Sequence, residues 1–259
     1  LIDSVEFPES LEILARRARL EMPKGRRGSG NGQQATDWYD SLTWAENEFH
    51  QCLLTASAAQ PARDYLEDRG FSTETIARFR IGYHPNDWKW LQGRAQGRFL
   101  LSQLFSVRLL GQKDAQSGYY DNFVDRLLFP IRDAQARAVA FGGRILPGNP
   151  NPDLPKYWNS PESPVFSKHK LLYGLDVARA AIKDTNTAVV VEGYTDCIIA
   201  HQYGITNVVG TLGTALSELH VTSLKRLARK VVLIYDGDKA GQNAAERVLV
   251  KFLAQDVDL

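Results

Sequence analysis

Residues 188–251 read AVVVEGYTDCIIAHQYGITNVVGTLGTALSELHVTSLKRLARKVVLIYDGDKAGQNAAERVLVK, and their pattern decides the fold. Three apolar, β-branched runs at 188–191, 206–209 and 230–235 are each followed by a segment of helical periodicity, the signature of consecutive β-α units. That order predicts a parallel sheet. The first run stops at Glu192 before Gly193, and the third at Asp236-Gly237-Asp238. Carboxylates therefore fall where strands end, the edge at which open α/β sheets place their ligands.

Neighbouring strands lie about 5 Å apart, so Glu192, Asp236 and Asp238 are expected to converge at one sheet edge. Crowded like charges raise one another's pKa unless a cation compensates them, and Mg²⁺, a hard cation taking oxygen ligands, fits such a site. Gly193 and Gly237 add no bulk there and let the backbone turn sharply. Taken singly, these signals stay ambiguous. Asp-x-Asp after a strand also opens dehalogenase-type phosphohydrolase sites, and Glu192 or Asp196 could each simply be an acid favoured by a helix N-terminus. The Gly210 to Gly213 loop is a phosphate cradle or only a turn.

The blocks EGYTD, TLGTAL and VVLIYDGDKAGQNAAERVL resemble the TOPRIM domain, and among its branches that of bacterial replicative primases of the DnaG type. The resemblance implies that Glu192, Asp236 and Asp238 bind the divalent metal of nucleotidyl transfer, Mg²⁺ or Mn²⁺, with Asp196 as a supporting acid. YLEDRGFSTETIARFRIGYHPNDWKWL, YYDNFVDRLLFPIRDAQARAVAFGGR and KYWNSPESPVFSKHKLLYGL look like further stretches of the same polymerase core. By position, the resemblance assigns template, product and triphosphate contacts to Arg126, Arg144, Lys156 and Lys168, with Asn159 and Ser160 as polar neighbours. A solvated surface charge is the competing reading for each base. The family usually carries further arginines where this chain has Asn122 and Val124.

The implied fold class is α/β: an α+β N-terminal subdomain at 37–183 followed by a Rossmann-like TOPRIM subdomain at 184–259. Residues 1–36 read as a helix and flexible linker following a zinc-binding domain whose ligands this sequence lacks, so zinc is expected only in that absent domain. The start at Leu1 and the terminal Asp256-Val257-Asp258-Leu259, which approaches a further strand, suggest a fragment trimmed at both ends. A further acidic family motif is expected downstream, and Asp256 and Asp258 are not it.

The net charge is only +1, but residues 121–183 carry nine Lys and Arg against six Asp and Glu, whereas 184–259 carry seven against nine. A basic segment beside an acidic metal centre suits polyanion chemistry. Cys52 and Cys197 form no C-x-x-C pair, which argues against a disulfide framework or structural zinc and for a reducing cytoplasm. No apolar run approaches the roughly 18 residues of a membrane span.

Residues 37–54 suit a core helix with Trp38, Leu42, Ala45, Phe49, Cys52 and Leu53 on one face, His50 being a surface or capped histidine. Ser72 suits a helix cap. Trp88 and Trp90 around Lys89 suit either single-strand stacking or a structural corner. The expected function is a DNA-dependent RNA primase core acting on single-stranded DNA and ribonucleoside triphosphates to give an RNA–DNA hybrid, with a replicative helicase engaged through an absent C-terminal domain. A TOPRIM nuclease and a non-catalytic single-strand-binding module are the alternatives.

Overall fold

The computed structural model describes residues 31–114, 116–149 and 154–235. The helix expected within 1–22, residues 23–30 of the expected linker, Asp236, Asp238 and the terminal acids lie outside them. The chain divides into two compact units, Leu1–Asp37 and Trp38–Leu259, and all the described strands belong to the second.

The first helix, α1, runs Asn31–Thr55. It begins before the expected start and takes in residues assigned to the linker, because Gln34 and Ala35 propagate a helix readily once a longer downstream segment has nucleated it. A 3₁₀ turn leads to α2 (Gln60–Asp68) and α3 (Thr73–Phe79), the latter capped by the Ser72 hydroxyl accepting from Thr75 N. Then come β1 (Gly82–His84), α4 (Trp90–Ala95), α5 (Leu101–Ser106), β2 (Leu110–Gln112), β3 (Tyr119–Asp121), β4 (Arg126–Arg132), β5 (Ala138–Ile145) and β6 (Tyr157–Asn159). The last part consists of α6 (Leu175–Thr185), β7 (Thr187–Val191), α7 (Tyr194–Gln202), β8 (Val208–Gly210), α8 (Glu218–Lys225) and β9 (Lys230–Ile234).

Strands β1, β4, β5 and β6 form an antiparallel sheet in the order β1-β4-β5-β6, and β2 pairs with β3 in a separate hairpin. Pairing of β1 stops at Leu128, ahead of Pro130, whose nitrogen has no proton to give a neighbour. Both faces of the larger sheet are covered. Leu127, Phe129 and Ile131 of β4 enter one core with Leu53, Leu66 and Phe79, while Leu128 faces another with Leu42, Phe49 and Phe141, as alternation along a strand requires. Phe49 of α1 anchors the second core, with ring centroids 5.2 Å from Phe141 and 6.0 Å from Trp90.

The parallel sheet that the three apolar runs predicted is present, with the strand order β8-β7-β9. Its central strand buries Ala188 and Val190 with Ile182 of α6 and Val221 and Leu224 of α8. Val191 belongs to the opposite face with Cys197 and Ile198 of α7, in the same core that holds Leu127 and Phe129 of the antiparallel sheet. One apolar core thus runs under both sheets. At its centre Tyr194 lies 4.6 Å from the Phe129 ring and 5.6 Å from that of Tyr173. Among the described residues no helix is long and apolar enough to cross a membrane.

Polar contacts complete the joint. The Gln202 amide donates to Gly70 O at 2.7 Å and accepts from Ser72 N at 2.8 Å, so one side chain of α7 satisfies two backbone groups beyond α2. Arg132 pairs with Glu46 and lies 4.0 Å from Asp176, linking β4, α1 and α6. Asp121 accepts from Leu91 N (2.6 Å) and meets His84 Nε2 at 3.1 Å, which fastens β3 to α4 and β1. His50 is no surface histidine: it is buried, with Nδ1 2.7 Å from Ile81 O. Its ring is capped by the Ile81 carbonyl, the second of the two readings, through a contact invisible to helical periodicity.

Two consequences can be measured. A Cβ on Gly142 would lie 2.6 Å from the Tyr194 ring and 2.9 Å from Asn159 Oδ1, so Gly142→Ala is expected to lower the unfolding free energy by about 1–3 kcal/mol in urea titrations. Burial holds the imidazoles of His50 and His201 below the ordinary histidine value. The unfolded chain then takes up protons first as the pH falls through about 6.5, and stability present above that value is lost on the way to the folded pKa values. His50→Gln, which keeps a donor for Ile81 O, is expected to make the decline in urea midpoint between about pH 7 and about pH 5 shallower.

Candidate active site at the strand ends of the parallel sheet

Strand β7 delivers Glu192 at its C-terminal end, half-buried, immediately before the turn into α7. The Thr211 hydroxyl donates to Glu192 O at 2.8 Å. The last register pair across to β9 is Val191 with Ile234, which brings Tyr235 beside Glu192. The effect is visible in the phenol: burial, then the Glu192 charge, pushes the Tyr235 hydroxyl up to about 12. Asp236 and Asp238 follow directly in sequence but lie outside the described residues.

Asp196 stands exposed in the first turn of α7, where negative charge is favoured by the helix N-terminus. Its Oδ2 is 3.0 Å from the point a Cβ on Gly193 would occupy, so the glycine makes room for this carboxylate next to Glu192. Among the described residues no three His, Cys, Asp or Glu side chains converge as a metal cluster. Glu192 and Asp196 supply hard oxygen donors of the kind that Mg²⁺ or Mn²⁺ takes, and thus fit a divalent metal.

The basic candidates divide into two groups. Arg126 and Arg144 are not solvated: they retain only 4% and 6% of their exposure. Arg126 donates to Pro155 O at 3.0 Å, and burial depresses its pKa. Arg144 donates to the Tyr157 hydroxyl at 2.5 Å and lies over the Tyr65 and Tyr157 rings, 4.8 Å and 5.2 Å from their centroids. Its Nε is buried without a hydrogen-bond partner. Lys156 and Lys168 are the accessible cations, Lys156 exposed with Nζ 5.8 Å from the Tyr157 ring centroid, and Lys168 half-exposed on the segment whose main chain bonds Glu162.

Asn159 uses its amide to donate to Leu212 O at 2.9 Å, in the loop that follows β8, and its Oδ1 is buried without a partner. Ser160 turns inward, its hydroxyl accepting from Phe141 N at 3.1 Å. It therefore belongs to the sheet more than to a surface. Trp90 packs in the core against Phe49 and His84, which is the corner reading, while Trp88 keeps 59% of its exposure.

Two members of this cluster escaped the residue reading. Tyr157 receives Arg144 and stands edge-on to Tyr194 at 5.6 Å, and the Tyr194 hydroxyl is buried without a partner in the described structure. Burial raises the Tyr194 phenol far above its usual range. The signal was present in KYWN and EGYTD, where each aromatic directly abuts a candidate site residue or lies two positions from one. Structure thereby gathers Arg144, Tyr157, Asn159 and Tyr194 at the junction of the antiparallel sheet with the turn that carries Glu192, while Arg126 leaves the other face of β4, its Cδ 3.0 Å from the point a Cβ on Gly143 would occupy.

Residues 49–179 match the family model of the DNA primase catalytic core, N-terminal domain, and residues 186–259 that of the Toprim domain. The DNA primase of Pseudomonas aeruginosa is 42% identical over 257 residues, which are 97% of this chain and 38% of the relative. That of Escherichia coli K12 is 42% identical over 255 residues, 95% of this chain and 42% of the relative. The chain spans about two fifths of the length of these curated relatives. A crystal structure of a DNA primase domain from Pseudomonas aeruginosa superposes with a TM-score of 0.78 at 42% identity, covering 83% of this chain and 66% of that one. A structure of the DnaG primase catalytic domain bound to ssDNA superposes with a TM-score of 0.78 at 39% identity, covering 86% and 68%. These matches show that the chain belongs to the family of bacterial DNA primase catalytic cores.

Proposed function

We propose that this chain carries the nucleotidyl-transfer centre of a DNA-dependent RNA primase, with residues 37–183 as the basic subdomain and 184–259 as the TOPRIM subdomain. The observation that carries the reading is the placement of Glu192 at the C-terminal edge of the parallel sheet, beside a junction lined by Arg144 and Tyr157, in a member of the primase core family. Glu192, Asp236 and Asp238 are the residues that would hold divalent metal, Mg²⁺ or Mn²⁺, with Asp196 in support. Bound there, the metal lowers the pKa of the attacking hydroxyl and neutralises charge on the leaving group.

In the proposed reaction the 3′-hydroxyl of one ribonucleotide forms a bond to the α-phosphorus of the next, the bond to pyrophosphate breaks, and the hydroxyl proton passes to solvent. No side-chain nucleophile is required. Lys156 and Lys168 are accessible and steady triphosphate or template phosphates as point charges. Arg126 and Arg144 are charged groups held in a poorly hydrated setting, where an approaching phosphate feels them strongly. The unpartnered Asn159 Oδ1 offers an acceptor to a nucleotide hydroxyl, while Ser160 keeps the strand beneath it in register. With Asn122 and Val124 in place of the family's further arginines, the template grip is weaker or displaced. The partners are single-stranded DNA, ribonucleoside triphosphates and the RNA–DNA hybrid, in a bacterial cytoplasm. A replicative helicase and a zinc-binding domain belong to the whole enzyme by family resemblance.

Extended through the downstream acidic motif expected of the family and incubated with labelled single-stranded DNA, ribonucleoside triphosphates and Mg²⁺, the protein is expected to incorporate ribonucleotides on the template. Glu192→Gln and Asp236→Asn are expected to lose this by about 10²-fold or more while binding DNA normally. Shortening of the template, or incorporation unchanged in both variants, contradicts the proposal. Lys156→Ala and Lys168→Ala are expected to weaken single-strand binding, each reducing the slope of log affinity against log salt by about 0.7 for a lost phosphate contact.

A further inference from the structure

The edge of the parallel sheet contains one hydrogen bond that the strand ladder itself does not supply. Pairing of β7 with β8 ends at Val191 and Gly210, and Thr211 N extends it by donating to Val191 O at 3.0 Å. The Thr211 hydroxyl then takes the next step, donating to Glu192 O at 2.8 Å. A strand-end carbonyl without such a donor turns to solvent. Holding it fixes the planar peptide between Glu192 and Gly193, hence the ψ angle of Glu192 and the direction in which its side chain leaves the strand.

The surroundings make this contact rigid. Thr211 keeps only 6% of its exposure. On one side Gly210 exchanges both backbone hydrogen bonds with Tyr173, at 2.8 Å and 3.0 Å. On the other, Asn159 Nδ2 holds Leu212 O at 2.9 Å. A Cβ on Gly210 would come within 2.9 Å of Gly193 O, so only glycine lets the two strand ends approach this closely.

We propose that Thr211 is a positioning residue for Glu192, its hydroxyl setting where the carboxylate stands at the sheet edge and thereby the affinity for divalent metal, an inference that rests on Glu192 being a metal ligand. A hydroxyl that merely satisfies a buried carbonyl would affect stability alone. A hydroxyl that positions the ligand also affects metal binding in protein that remains folded.

The test measures Mn²⁺ binding to the whole chain by the loss of the free-ion paramagnetic resonance signal, for the parent, Glu192→Gln, Thr211→Val and Thr211→Ser. Urea unfolding and single-stranded DNA affinity are recorded in parallel. Thr211→Val is expected to weaken Glu192-dependent Mn²⁺ binding by about tenfold, the usual effect of removing a group that orients a ligand, while Thr211→Ser restores it. DNA affinity is expected to be unchanged in both. Should Thr211→Val not fold, Thr211→Ala removes the same hydroxyl without adding bulk and carries the same expectation. Parent-like Mn²⁺ affinity in the folded hydroxyl-free variant overturns the proposal. If Glu192→Gln binds Mn²⁺ as the parent does, the assignment of Glu192 itself fails and the role of Thr211 falls with it.

Discussion

The architecture depends on the missing side chain of Gly142. Tyr194, the first residue of α7, occupies the space above the β5 backbone that any Cβ would fill. Its ring reaches Phe129 beneath and Tyr173 beside it, so the turn that begins two residues earlier, at Glu192, rests on the antiparallel sheet. Close packing of this kind transmits position. The carboxylate edge cannot shift without disturbing a core shared by both sheets, and interiors packed to crystal density resist such shifts.

This arrangement also explains why the buried bases lie where they do. Arg126 and Arg144 leave opposite faces of adjacent antiparallel strands, and tyrosines take up the guanidinium face of Arg144 instead of carboxylates. A guanidinium stacked on aromatic rings retains its charge and most of its donors, whereas one paired with a carboxylate has its field cancelled. The acidic members of the molecule that do pair with arginine, such as Glu46 with Arg132, stand elsewhere, at the joint of α1, β4 and α6.

Much of the fold was legible because its signals are local. Three β-branched runs gave the three parallel strands, and Ser72 gave a cap. What was not legible consists of contacts between residues far apart in sequence. The burial of His50, which reads as a surface or capped histidine, depends on residues 80–81 closing over it, and the inward turn of the Ser160 hydroxyl depends on meeting Phe141 of the neighbouring strand. Thr211 looked like part of a turn, since nothing local indicates that its hydroxyl meets a carbonyl delivered by another strand. The place of Glu192 at a strand end was legible because carboxylates there form a pattern, while Tyr157 and Tyr194 were not singled out because tyrosine is common and their proximity arises only from strand pairing and helix docking.

The Gln202 clamp has a consequence for how the molecule comes into being. Gly70 O and Ser72 N wait for a side chain encoded some 130 positions later. Leu53, Leu66 and Phe79 likewise wait for Val191, Cys197 and Val208 to complete their core. During synthesis from the N-terminus, the helical front of the chain therefore leaves the ribosome with apolar surface uncovered. At about 5–20 residues per second that interval lasts several seconds or more, long enough for a chaperone to bind. The shared core that makes the finished protein rigid thus obliges its first half to remain incomplete until the second has been made.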